Sequence, residues 1–121
     1  MLLKDFYTVN KLAVANNQAT ANISINKDHD VFKGHFPGNP VTPGVCMMQI
    51  IKELSEQIVE KALFMESSTN VKFMAIINPE KTPDLELTLD ISETDEGYKV
   101  KNVTKFEDTV ALKLSTTFKI K

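Results

Sequence analysis

Arginine is absent from this chain. All 14 basic residues are lysines, set against 16 acids for a net charge of −2. Without guanidinium groups there is no bidentate clamp for phosphate or carboxylate and no favoured reader of a guanine edge. The mild charge balance leaves no electrostatic footprint for nucleic acid, so no nucleic-acid partner is expected. Cysteine occurs once, at Cys46. No disulfide can then close within the chain, and a reducing cytoplasm is the expected location. No apolar run approaches the ~18 residues of a membrane span. The opening residues, MLLKDFYTVN, lack the basic, apolar and small-residue zones of a secretion signal, so no membrane partner is expected.

Scarce residue types are also concentrated. Three of the four glycines, three of the five prolines, one of the two histidines and the cysteine fall within residues 34–53, GHFPGNPVTPGVCMMQIIKE. A loop punctuated this way has a fixed backbone path. It runs directly into the one convincing helical pattern, and His35 stands at its head.

The remaining pattern predicts one domain over residues 1–121, with the 42% hydrophobic content of an ordinary globular core. Residues 6–15 and 18–26 read as strands joined at Asn16 and Asn17, which tolerate the left-handed backbone of a tight turn. Leu2, Leu3 and Phe6 suggest a short apolar cap before them. Residues 26–32 read as a polar loop. A helix is predicted over 43–62, with Thr42 as N-cap and Pro43 in the first turn, where its missing N–H has no partner to lose. Its stripe of Met47, Met48, Ile51, Leu54, Ser55, Ile58 and Ala62 recurs at helical spacing. Lys52, Glu53, Glu56 and Glu60 form a solvated opposite face in the second half. The first two turns are apolar all round except for Gln49, which calls for cover on more than one side. After a break at Ser67 and Ser68, strands are predicted over 70–77, 84–92, 98–106 and 110–120. The third of these changes phase between Val100 and Val103, as at a bulge. The last three form an antiparallel meander. A long antiparallel sheet with one helix to cover it is an α+β domain, most economically a curved sheet wrapping the helix.

The run from His35 to Val45, HFPGNPVTPGV, resembles the signature of the hot-dog-fold 3-hydroxyacyl-[acyl carrier protein] dehydratases, the FabZ-like family, and the element order agrees over essentially the whole chain. The resemblance implies a hot-dog fold, a homodimer or larger homo-oligomer with sites at the interface, and a substrate carried on the phosphopantetheine arm of acyl carrier protein. It implies a dehydratase or hydratase of 3-hydroxyacyl thioesters and no cofactor. His35 takes the place of the base that acts at the substrate α-carbon. Gly44 takes that of the backbone N–H that receives the thioester carbonyl, a role suited to a helix N-terminus. Phe36, Pro43 and Val45 fall at substrate-lining positions. The family's helix carboxylate falls on Gln49, and this is a departure.

A carboxamide can bind a hydroxyl but has no proton to exchange near neutral pH. Glu53, one turn on, is the nearest substitute acid. Two other functions therefore stay open: a catalytically degenerate acyl-binding partner of an active homologue, and a hot-dog thioesterase. Cys46 reads as a small buried hydrophobe. His29, between Asp28 and Asp30, reads as a solvated loop residue, and no metal site is expected. Met47, Met48, Met65 and Met74 read as core.

Overall fold

The computed structural model describes residues 5–33 and 41–121. In chain order the elements are β1 (Tyr7–Ala15), β2 (Gln18–Ile25), a 3-10 turn (Asp30–Lys33), α1 (Gly44–Val59), β3 (Leu63–Phe73), β4 (Asp84–Glu93), β5 (Gly97–Phe106) and β6 (Thr109–Ile120). The strands form one antiparallel sheet in the order β1-β2-β4-β5-β6-β3. The β1–β2 hairpin closes through Asn16, at φ 56°, between the paired residues Ala15 and Gln18.

Alternation sorts the strands into two faces. Ala21 and Ile23 of β2, Leu85, Leu87 and Leu89 of β4, Val100 of β5, and Leu112, Leu114 and Phe118 of β6 are buried. They share one core with Met47, Ile50, Ile51 and Leu54 of α1. Ser55 lies in the same buried stripe because its hydroxyl donates to Ile51 O (2.8 Å). Six strands about 4.8 Å apart span roughly 24 Å, while one helix is only ~10 Å across. Nevertheless both edges of the sheet reach α1. Tyr7 of β1 bonds Glu53, and the Phe73 ring of β3 lies against Gly44. The sheet therefore curls around the helix, which is the hot-dog arrangement.

Several local expectations are corrected. The helix begins at Gly44 with Pro43 as N-cap, in extended backbone (φ −63°, ψ 143°) and without a side-chain cap bond. Thr42 is one residue too early to cap. Its N–H donates to Ile77 O (2.9 Å), and its hydroxyl is buried without a partner among the described residues. The helix stops at Val59 because Glu60 turns left-handed (φ 59°), which leaves Ala62 outside it. Strand β3 runs through Ser67 and Ser68 and ends at Phe73. It is an edge strand whose pairing with β6 slips twice, so its side chains do not alternate cleanly. The phase change in β5 is no bulge, since the register with β4 is continuous. Asn102 and Thr104 face inward instead. The Thr104 hydroxyl donates to Asn102 Oδ1 (2.9 Å), and Asn102 Nδ2 donates to Thr88 O (3.1 Å). Met74 is exposed rather than core.

Leu2 and Leu3 lie outside the described residues; Phe6 is fully buried. Among the described residues no helix is long and apolar enough to cross a membrane. Nor, among them, is any group of three or more His, Cys, Asp or Glu side chains placed to hold a metal.

Candidate active site

The helix start is built by its proline. Pro43 O accepts from both Cys46 N (3.0 Å) and Met47 N (3.3 Å). The N–H groups of Gly44 and Val45 precede these donors and have no earlier carbonyl of the helix to bond, so they form its positive end. Packing favours glycine here: a Cβ on residue 44 would stand 2.6 Å from Phe73 Cζ, and the ring would have to move aside. A groove of about 480 Å³ opens beside this end. Thr42, Pro43, Gly44 and Val45 lie on one side of it, and Phe73, Ala75, Ile76 and Ile77 on the other. Among the described residues, its side chains are apolar apart from the Thr42 hydroxyl. Such a slot suits an alkyl or thioester chain with one carbonyl oxygen directed at the helix end.

Further along α1, half-buried Gln49 donates from Nε2 to Glu53 Oε2 (2.9 Å). The Tyr7 hydroxyl donates to the other oxygen, Oε1 (2.9 Å). A carboxylate only accepts, so the Gln49 NH₂ must face Glu53 and its carbonyl oxygen must face away. Glu53 is thus not on a solvated face, as its spacing suggests, but between the helix and the inward side of β1. Burial first, then the hydrogen bond and charge of Glu53, push the Tyr7 phenol well above its usual pKa. Burial likewise pushes the Cys46 thiol up, the behaviour of a packed thiol rather than a nucleophile.

Of the residues the sequence marks, Pro43, Gly44 and Val45 meet at the groove, with Val45 on its open rim at 74% exposure. Gln49 and Glu53 meet each other. His35 and Phe36 lie outside the described residues. His29 is not simply solvated: its ring stands edge-on to Phe6 (5.1 Å, 84°), and its Nδ1 accepts from Val31 N (3.1 Å). Tyr7 and Phe73 are missed by sequence reasoning. The inward phase of β1 was the available signal for Tyr7. For Phe73 there was none, because its strand does not alternate.

Known proteins share this architecture. The profile of the ApeI-like family, described as ApeI dehydratase, matches residues 11–113. The chain is 32% identical over 106 residues to a "3-hydroxyacyl-[acyl-carrier-protein] dehydratase FabZ" of Lactobacillus helveticus, covering 82% of this chain and 70% of that protein. It is 32% identical over 99 residues to the FabZ of Rickettsia felis, covering 75% of this chain but only 62% of that one. Among solved structures, "The Dehydratase Heterocomplex ApeI:P from Xenorhabdus doucetiae" superposes with a TM-score of 0.76 at 19% identity, covering 93% of this chain and 96% of that one. An HP0420 homologue from Helicobacter felis gives 0.66 at 11% identity, over 92% and 77%. The structural likenesses establish the fold, and the sequence matches go further: the chain belongs to the ApeI-like family of FabZ-like dehydratases.

Proposed function

We propose that this chain, as a single domain, catalyses the reversible dehydration of 3-hydroxyacyl thioesters carried on acyl carrier protein in the cytoplasm. The observation that carries this is the Gln49–Glu53 pair. The carboxylate missing from position 49 is present one turn on, 2.9 Å from the amide. His35 takes the α-proton while charge develops on the thioester oxygen at the Gly44 N–H. The Gln49 carbonyl oxygen binds the β-hydroxyl. The C–O bond then breaks, and the proton that His35 removed leaves with the hydroxyl as one molecule of water. Glu53 orients the amide and gives no proton. Phe36, Pro43 and Val45 line the substrate path.

The test is turnover of a 3-hydroxyacyl or trans-2-enoyl thioester followed at the enoyl chromophore. Wild-type activity is expected to exceed that of His35→Ala by ~10²-fold or more. Equal rates overturn the assignment.

An acidic carrier protein would dock on lysines. Lys72 and Lys113 stand directly opposite one another across β3 and β6, and with Lys101 they line a concavity of about 280 Å³ on the outer sheet face. Like charges so placed disfavour the strand pair, and an acidic surface relieves them. The same strand turns Phe73 inward onto Gly44.

A second function is favoured by Gln49 itself, which supplies no titratable proton, and by the similar fold being found in a complex named a heterocomplex. In it the chain is an acyl-binding partner of an active homologue. Activity gained by Gln49→Glu in an inactive parent would mark that case.

A further inference from the structure

The start of the chain's first strand touches both the 3-10 turn that precedes residues 34–40 and the carboxylate on the helix. Phe6 is fully buried, stacks on Phe32 (5.5 Å, 22°) and meets the His29 ring edge-on (5.1 Å). Its carbonyl accepts from Asn26 N (2.8 Å). These contacts hold the 3-10 turn Asp30–Lys33, from which the chain passes to His35. The next residue, Tyr7, spans 46 positions of sequence to reach Glu53. Two consecutive residues therefore brace the root of the histidine loop and the carboxylate of the helix. Nothing in helix geometry requires the second contact. An i,i+4 Gln–Glu pair on a solvated helix samples many rotamers, and each side chain loses entropy when it is fixed.

We propose that Tyr7 is a positioning residue that sets the amide of Gln49. Its hydroxyl occupies Glu53 Oε1 and fixes the plane of the carboxylate, so that Oε2 is the oxygen aimed at the Gln49 NH₂. The amide is thereby held with its carbonyl oxygen toward the β-hydroxyl of the substrate, the orientation in which it accepts rather than donates. Without the phenol the carboxylate loses the anchor on Oε1, and its hold on the amide loosens. Tyr7 itself touches no reacting atom, and no proton passes through it.

The proposal rests on the 3-hydroxyacyl thioester function for its catalytic consequence, but the amide geometry can be read without turnover. Tyr7→Phe keeps the ring and removes only the donor. Its expected effect is a fall in kcat of about tenfold, as for loss of one hydrogen bond to a charged group, with KM changed less than about twofold. Independently, the side-chain NH₂ resonances of the three glutamines, Gln18, Gln49 and Gln57, can be assigned by ¹⁵N labelling, with Gln49→Met identifying its own pair. The Gln49 pair is expected to shift and to exchange faster with solvent in both Tyr7→Phe and Glu53→Gln, while those of Gln18 and Gln57 stay in place. Should Tyr7→Phe unfold, Glu53→Gln carries the same comparison. If the Gln49 resonances stay unmoved in these folded variants, the proposal is overturned; an unchanged kcat in Tyr7→Phe also overturns it. A wild type that turns over no thioester, combined with a shifted Gln49 amide, supports the positioning and removes the assigned substrate instead.

Discussion

Tyr7 holds its proton more tightly folded than unfolded, where a phenol ionises near 10. By linkage its contribution to stability is complete below that value and is lost as the pH rises above it. The Tm difference between wild type and Tyr7→Phe should therefore be constant from about pH 7 to 9 and shrink above about pH 10. Thermal melts across that range check this, and a difference independent of pH contradicts it. Thr42 gives the opposite case, a buried hydroxyl with no partner among the described residues. Such a group costs about 1–3 kcal/mol, so Thr42→Val should raise stability by about 1 kcal/mol in urea denaturation. A lowered midpoint would mean that the hydroxyl is bonded in solution. Gln49 was legible as a missing carboxylate. That Glu53 is drawn to it by a tyrosine from the far end of the sequence was not.

At the level of elements, β5 shows why alternation misleads where polar groups are buried in pairs. Val103 faces outward and Asn102 and Thr104 inward, so the hydrophobic pattern breaks although the strand does not. Asn102→Ala should cost about 2 kcal/mol, because it leaves both the Thr104 hydroxyl and Thr88 O without their partner. Replacing both residues, as Asn102→Leu with Thr104→Val, removes the Thr104 donor as well and should fall within about 1 kcal/mol of wild type. Chemical denaturation of the single and double variants measures this, and simple additivity overturns it. The β4–β6 meander was legible to within a residue at each end, and the helix in its place but not its end, which falls three residues before Ala62. Strand β3 was not. An edge strand with two register slips presents no fixed period to read.

For the whole molecule, the curl of the sheet explains why one helix suffices. It brings Tyr7 and Phe73, from opposite edges, onto the same cylinder. It also leaves Val45, Phe73, Met74 and Ile76 from 55% to 74% exposed near the groove where β3 ends, and the free edge of β3 has no neighbouring strand among the described residues. A second copy pairing at this edge would cover them. Sedimentation should then give at least twice the 13.6 kDa chain mass, and Ile76→Lys should shift the protein toward a single chain. A wild type that sediments as a single chain contradicts this assembly.

By itself the sequence determined the helix, the hairpin, the meander, the α+β class and the motif that points to the dehydratases. Those features depend on local periodicity, on turn chemistry and on a contiguous run of residues. Only the tertiary structure decided that Glu53 leaves the solvated face, that Tyr7 holds it, and that Phe73 closes over Gly44. Each of these joins residues far apart in the chain, and each follows from the curvature of the sheet, a property of six strands together that no single segment encodes.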